Sequence, residues 1–480
     1  MAKFDNNLVV IGGGSAGLIA AYVAATVRAR VTLIEAGRMG GDCLNTGCVP
    51  SKALIRSARV AHTFRDAERF GVRAHPPDVD FPRVMARIRE AIGTIAPKDS
   101  MERYRRLGVE CIPGRARLED AHHVAVNGRI ISTRSIVLAT GASPMMPPIP
   151  GLDGVDPLTS ENVWALESLP ERLLVMGGGP IGCELAQSFQ RLGSRVTLID
   201  MEQRLLPRED PDVSAHLERV FRREGMDVRL GHRAVAAEAG PVPGSGTLRA
   251  QVDGSTVELP FDRILVAVGR RPSSEDLGLE DLGIATAGNG AVEVDRYLRT
   301  ACPDVFACGD LVGPYQFTHM ASHQAWYAAV NALFGRFRRF AVNYRVVPWA
   351  TFTDPEVARV GLSEEQARLE GREVEVTTYP LNDLDRAVAE GDTQGWVKVV
   401  TPPGKDHILG ATVVAPGAGE IIGEIVVAMS HGLGLGKLMR TIHIYPTMTE
   451  AVKLSAGAWR RQHVPERLLG WVGRLHGLMR

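Results

Sequence analysis

Cys43 and Cys48 stand five residues apart in the segment Gly40-Gly41-Asp42-Cys43-Leu44-Asn45-Thr46-Gly47-Cys48-Val49-Pro50-Ser51-Lys52. In a regular helix, residues five apart are separated by about 7.5 Å along the axis and point in different directions. A disulfide asks for Cα atoms about 4.4–6.8 Å apart. The two thiols could therefore meet only across an irregular helix start, which Gly40, Gly41 and Gly47 permit. Pro50 suits the first turn of the helix that follows. Cys48 then lies at a helix N-terminus with Lys52 one turn on, and both features lower a thiol's pKa. That is the setting of a reactive thiol. From the residues alone, three inert readings stay open: two reduced structural cysteines, a static disulfide, or half of a zinc site completed by Cys302 and Cys308. A zinc site usually shows two-to-four-residue spacing in both halves, so no metal is expected.

Elements that could position such a pair occur twice. The first unit reads Leu8-Val9-Val10-Ile11, then Gly12-x-Gly14-x-x-Gly17, then Leu18 to Val27, then Arg30 to Glu35. The second reads Leu173 to Met176, then Gly177-x-Gly179-x-x-Gly182, a helical run, and Arg195 to Asp200. At this glycine content about 0.6 chance matches to the glycine pattern are expected in the whole chain, so one hit means little. Two hits, each between a buried strand and a helix, mean more. In both, an acid follows the third glycine by 18 residues (35 − 17 and 200 − 182). The logic is that of a dinucleotide site: a tight turn, backbone close to a pyrophosphate, a free helix N-terminus, and an acid for ribose hydroxyls. Two sites suggest two different dinucleotides. Ile136 to Gly141 and Ile264 to Gly269 read as later strands of the two units. A third such strand, Val305 to Asp310, places a carboxylate at the C-terminal edge, where open α/β sheets bind ligands. Asp200 would repel a 2′-phosphate, which favours NADH; Arg204 and Arg208 follow closely and could accommodate one.

Composition narrows the class. The chain has 480 residues, 45% of them hydrophobic, with 55 Lys+Arg against 55 Asp+Glu. Balanced charge argues against nucleic-acid binding, and the hydrophobic content against disorder. Six cysteines in so long a chain are not a secreted disulfide framework. The N-terminus does not read as a signal peptide. Leu8 to Val27 carries no charge and is long enough to span a bilayer, but Gly12-Gly13-Gly14-Ser15 would break the span. No transmembrane segment and a cytoplasmic setting are expected.

The paired glycine motifs and the cysteine segment together resemble the pyridine nucleotide–disulfide oxidoreductase family, which includes lipoamide dehydrogenase, glutathione reductase and mercuric reductase. The resemblance runs from Leu8 to about Leu454. It implies an α/β protein with two Rossmann-like dinucleotide-binding domains, for FAD and NAD(P)H, and an α+β C-terminal dimerisation domain. The implied boundaries are 1–152 and 273–342 for the FAD and central parts, 153–272 for NAD(P), 343–458 for dimerisation and 459–480 for an amphipathic extension. It implies a homodimer with an active site shared across the interface and a small-molecule electron acceptor. Electrons would pass in pairs from the nicotinamide to FAD, then to a Cys43–Cys48 disulfide, then to that acceptor. Gly12, Gly14, Gly17 and Glu35 would hold the ADP part of FAD, with Thr140, Gly141, Asp310, Ala116 and His319 along its path. Gly177, Gly179, Gly182, Asp200 and Gly269 would serve the nicotinamide nucleotide. Lys52 would lie near the flavin ring, paired with Glu184. Cys48 would contact the flavin and Cys43 the substrate.

The chain departs from the disulfide-reducing members near its C-terminus. The dimerisation-like region runs from Val347-Pro348-Trp349 through Gly361-Leu362-Ser363 and Gly417-Ala418-Gly419-Glu420 to Gly434-Leu435-Gly436. In those members a His five residues before a Glu is the general acid/base. Here Glu450 is present, but Tyr445 occupies the earlier position, in His443-Ile444-Tyr445-Pro446-Thr447-Met448-Thr449-Glu450. A phenol near pKa 10 is a poor base at neutral pH, whereas imidazole is well matched. Mercuric reductases carry Tyr at this position, and a soft metal asks for thiolates rather than a proton shuttle. Those enzymes deliver metal through a second cysteine pair near their C-terminus, whereas here no cysteine follows Cys308. Nor is an N-terminal metal-binding domain expected. His443 is either a substitute base or a hydrogen-bonded interface residue. The expectation is a mercuric-reductase-like enzyme without the metal relay; the alternatives are a dihydrolipoyl dehydrogenase and a non-catalytic flavin-binding subunit. The extension carries Leu468, Leu469, Trp471, Val472, Leu475 and Leu478 at helical spacing. Such a helix could touch a membrane or partner, but it more often covers the protein's own apolar surface.

Overall fold

The structure is a computed structural model that describes residues 4–75 and 77–480. The chain forms two compact units, one of residues 1–203 and 224–343, the other of 204–223 and 344–480.

The first unit holds the duplicated sheets. In one, five parallel strands lie in the order Val305–Ala307, Ile136–Leu138, Leu8–Ile11, Val31–Glu35 and Val109–Pro113. In the other, the order is Asp227–Arg229, Arg195–Ile199, Arg172–Met176 and Arg263–Val266. The registers correspond: Ile11 faces Ile34 and Leu138, while Met176 faces Ile199 and Val266. Strands Leu8–Ile11 and Ile136–Leu138 are buried throughout, as expected of parallel strands covered on both faces. A helix follows each glycine turn, Ser15–Thr26 and Pro180–Leu192. The stretch from Leu8 to Val27 is thus strand, turn and helix. No helix among the described residues is long and apolar enough to cross a membrane.

The second unit is an antiparallel sheet in the order Pro348–Thr351, Glu356–Gly361, Gly410–Ala415, Trp396–Thr401 and Glu375–Pro380. Helices Ala418–Ser430 and Glu450–Gln462 pack on it through Ile421, Ile425, Val452 and Trp459. Residues 204–223 cluster here, although the boundary 153–272 groups them with the second nucleotide domain. A buried ionic network links this segment to the antiparallel sheet. Lys398 Nζ lies 3.2 Å from Asp210, 2.6 Å from Asp212 and 3.5 Å from Glu364. Arg359 stacks on Trp349 at 4.3 Å, donates to the Arg208 carbonyl at 2.7 Å, and lies 3.6 Å from Glu209.

The expectation that the C-terminal helix covers the protein's own surface is overturned. Helix Glu466–Leu478 forms, but none of its residues is buried. Pro465 starts it just after His463, which is fixed by a 2.8 Å bond to Glu375 and by stacking on Trp459; beyond that point the apolar side stays largely exposed, with Val472 half-buried.

Candidate active site

Cys43 lies in a short helix, Gly41–Asn45, and Cys48 opens a second, Cys48–Asp66. The break at Thr46–Gly47 lets residues five apart converge, and the two thiols are hydrogen-bonded to each other. Gly40 and Gly41 make the entry turn at φ 87° and 58°, which a side chain would oppose. Trp164 Nε1 donates to the Thr46 carbonyl at 2.8 Å, and Thr46 Oγ1 to Asp42 at 2.6 Å, fixing the break.

The two thiols are unequal. The hydrogen bond from Cys43 lowers Cys48 to about 6; burial opposes this, while the Thr318 hydroxyl, at 3.2 Å, and Lys52 assist it. Cys43 is pushed far up, by its hydrogen bond to Cys48, by burial and by the Cys48 charge, with Asp42 adding to it. The pair therefore shares one proton, which resides on Cys43, and Cys48 carries the thiolate. Lys52 Nζ forms a 2.9 Å ion pair with the buried Glu184 Oε2 and donates to Ser51 Oγ at 3.3 Å. Cys302 and Cys308 lie in two separate apolar clusters, away from this pair, so they do not complete a zinc site with it. Burial pushes Cys308 up to about 12.

The glycine turns have a common construction. Cβ atoms on Gly12 and Gly177 would fall 2.2 Å from Ala139 O and 2.4 Å from Ala267 O. On Gly17 and Gly182 they would strike the Gly12 and Gly177 carbonyls at 1.7 and 1.9 Å. Those four positions need glycine for packing. At Gly179 a Cβ would meet nothing within 4 Å, so its bare backbone serves approach from outside. Gly14 and Gly179 cap their helices with no side-chain hydrogen bond, leaving amides free for phosphate. Glu35 accepts from the Gly13 amide and, at 2.5 Å, from Gly37. Asp200 accepts from the Gly178 amide and, at 2.8 Å, from Glu202.

Beyond the first sheet's edge, burial raises Asp310 to about 6, against the pull of Arg270. Arg270 Nε, buried without a hydrogen-bond partner among the described residues, lies 3.9 Å from Asp310 Oδ2; its Nη2 pairs with Asp42 at 3.1 Å. Thr140 donates to Ser273 O at 2.7 Å, and Gly141 (φ 74°) and Gly269 (φ 140°) turn the chain after their strands. Ala116 is buried at the start of a small antiparallel sheet, next to the Gly114 amide that binds the Glu35 carbonyl. The His319 ring stacks on Phe317 at 5.4 Å, one residue from Thr318. Two uncapped helix starts, paired carboxylates and an orphaned donor facing a buried acid fit two dinucleotides.

Tyr445, His443 and Glu450 belong to the second unit. Exposed Tyr445 donates to Asp385 at 2.9 Å, a bond that raises its phenol. His443 bonds Glu424 at 2.9 Å through Nε2 and Thr441 O at 3.1 Å through Nδ1, so both ring nitrogens are engaged. Glu450 accepts from the Thr447 amide at 3.1 Å. Sequence reasoning missed Thr318, Asp42 and Arg270. Thr318 lies 270 positions from Cys48, and no spacing rule joins them. Asp42, adjoining a reactive cysteine, offered the one local signal.

Two nucleotide cradles with a polarised cysteine pair beside the first define a flavin-dependent disulfide oxidoreductase that uses a nicotinamide nucleotide. Comparison with known proteins gives the family. The pyridine nucleotide-disulphide oxidoreductase profile matches residues 6–325 and its dimerisation domain residues 347–456. The chain belongs to that family and is an FAD- and NAD(P)H-dependent enzyme. It is 39% identical over 461 residues to a mercuric reductase of Streptomyces lividans, covering 94% of this chain and 95% of that one. It is 37% identical over 475 residues to a dihydrolipoyl dehydrogenase of Thermus scotoductus, covering 97% and 99%. The HOCl-induced flavoprotein disulfide reductase RclA from Escherichia coli superposes with a TM-score of 0.83 at 30% identity, over 94% of this chain and 99% of that one; its Cu(II) complex matches equally, with a TM-score of 0.83.

Proposed function

We propose that the enzyme uses NADH to reduce the Cys43–Cys48 disulfide, and that the resulting dithiol reduces a soft metal ion or another oxidant rather than lipoamide. Bound FAD supplies the two-electron relay between nicotinamide and disulfide. The observation that carries the reading is Tyr445, hydrogen-bonded to Asp385 where a proton-shuttling His would stand. The cysteines divide the work: two electrons and two protons convert the disulfide to a dithiol, Cys48 loses its proton readily, and Cys43 keeps one. Lys52, paired with Glu184, keeps a positive charge near the thiolate. Cys43 then presents the outer sulfur to the acceptor. Thiolate affinity for soft metals suits mercuric or cupric ion. Names of relatives support this direction, with mercuric reductase and the Cu(II) complex of RclA among them.

NADH is favoured over NADPH because Asp200 would oppose a 2′-phosphate. Arg204, the first arginine after it, is held by Glu365 at 2.9 and 2.6 Å and by Pro207 O at 3.0 Å. The same reading assigns FAD to residues 1–152 and 273–342 and NADH to 153–272. It also assigns 343–458 to a homodimer contact that brings Tyr445 and Glu450 to the partner's cysteines. The high identity to a dihydrolipoyl dehydrogenase supports the second reading, that Tyr445 is tolerated in lipoamide chemistry. NADH oxidation across mercuric, cupric, quinone, disulfide and hypochlorite acceptors, with Tyr445→His alongside, decides between them. Metal-dependent turnover insensitive to Tyr445→His is expected. Wild-type dihydrolipoamide turnover on the order of 100 s⁻¹, the level of a dedicated enzyme, would overturn the first reading.

A further inference from the structure

The thirteen residues of helix Glu466–Leu478 form a two-sided surface. At about 100° per residue, Leu468, Trp471, Val472, Leu475, Leu478 and Met479 fall within one sector of roughly 120°. Trp471 is 62% exposed, Leu468 51% and Leu478 86%. Gly470, Gly473 and Gly477 line the opposite side. Arg467 and Arg474 border the apolar sector on one edge and His476 on the other, and Arg480 follows just past the helix end. The single acid, Glu466, sits at the first turn, where the helix dipole favours it.

A helix of this length is marginal in water, and three glycines weaken it further. Little tertiary packing offsets that, since none of its residues is buried and Val472 is only half-buried. Burial of the apolar sector against an outside surface would. The charge pattern selects the surface. Arginines along one edge of an apolar face and a third just past its end, with Trp within the face and no acid beside it, match acyl chains beneath anionic headgroups. Indole favours that boundary. The stacked and bonded His463 fixes the chain just ahead of Pro465, so the helix starts from an anchored point.

We propose that helix Glu466–Leu478 is a peripheral membrane-docking element that lies in the interface of an anionic bilayer. This stands independently of the electron acceptor.

The test is sedimentation of FAD-loaded, full-length enzyme with phosphatidylcholine vesicles, with and without 30 mol% phosphatidylglycerol, at 0.05 and 0.5 M salt. Anionic vesicles should bind at least tenfold more tightly than neutral ones at low salt. Removing Arg467, Arg474 and Arg480 together should weaken this roughly 100-fold, at about fivefold per arginine near an anionic surface. Trp471→Glu with Leu475→Glu should reduce binding more than tenfold at both salts, with NADH oxidation in solution unchanged. A blue shift of the Trp471 emission, isolated by difference against Trp471→Phe, should accompany binding. The proposal is overturned if anionic vesicles do not bind, or if the double glutamate variant binds like wild type. It is also overturned if that variant instead lowers the hydrodynamic size, since a second copy of the chain would then cover the face.

Discussion

Thr318→Val tests whether the Cys48 thiolate is stabilised as the geometry indicates. The change preserves shape and deletes the hydroxyl 3.2 Å from Cys48 Sγ. A hydrogen bond to a charged acceptor contributes about 1.5–3 kcal/mol. A thiolate is a diffuse acceptor and Cys48 is only half-buried, so the lower figure applies. One pKa unit corresponds to about 1.36 kcal/mol. The Cys48 midpoint should therefore rise from about 6 by roughly one unit. The direction follows because the hydroxyl favours the charged form, so its loss favours the thiol. The assay is the pH dependence of iodoacetamide alkylation of the reduced holoenzyme, quenched early and read at the Cys48 peptide by mass spectrometry. Thr318→Ser should restore the wild-type midpoint, and Cys43→Ser should shift it further than Thr318→Val, since the Cys43 bond is the larger influence. A midpoint that stays or falls in Thr318→Val would refute the reasoning, because Thr318 would then be a neighbour and not a donor.

Three further outcomes are expected. Gly182→Ala forces a Cβ to within 1.9 Å of the Gly177 carbonyl and should raise KM for NADH at least tenfold, a rough scale for losing one cradle; flavin absorbance should persist, whereas Gly17→Ala should purify without flavin. If either variant loses the other nucleotide, the assignment of the two cradles is reversed. Lys398→Met strands Asp210, Asp212 and Glu364 around an apolar side chain; it should destabilise the fold by about 3–5 kcal/mol, and a change below 1 kcal/mol in chemical denaturation would contradict a buried network. Asp310 has a folded pKa raised to about 6, so between the unfolded value and 6 the folded protein binds the extra proton and loses stability as pH rises. Asp310→Asn should remove that slope from the apoprotein, on the order of 2 kcal/mol across pH 4 to 6, and equal pH profiles in thermal melts would exclude the assignment.

The parallel sheets were readable because alternation of buried strand, glycine turn and helix is local. Each position in Gly12-x-Gly14-x-x-Gly17 has a steric or solvation cause within a few residues. The two thiols were readable for the same reason: Gly47 breaks the helix between them. Thr318 and Arg270 were not, because they reach the site by tertiary closure, from 270 and 228 positions beyond Cys48 and Asp42 (318 − 48 and 270 − 42). The division of the chain at residues 204–223 was hidden likewise. Asp210 and Asp212 are unremarkable surface acids until Lys398, nearly two hundred residues on, is buried against them. At the C-terminus the pattern announced an amphipathic helix correctly and left its partner open, since periodicity describes a face and not what meets it.

Helix Pro211–Arg223 meets the second unit through Asp212, 2.6 Å from Lys398, and His216, whose ring stands edge-on to Trp396 at 5.2 Å, and this governs how the chain may be cut. Neither unit is a continuous stretch, since the backbone passes between them after residues 203, 223 and 343. A fragment of residues 344–480 expressed alone would lack the acids that neutralise Lys398 and the segment that holds Arg359. A fragment of 1–343 would carry that helix with Asp210 and Asp212 deprived of Lys398 and His216 of Trp396. Genetic dissection, domain swapping or limited proteolysis at the apparent boundary near 343 should thus yield two destabilised halves, each with buried charges unpaired. A graft that is to fold must carry residues 204–223 with the C-terminal sheet, joined through a redesigned connection.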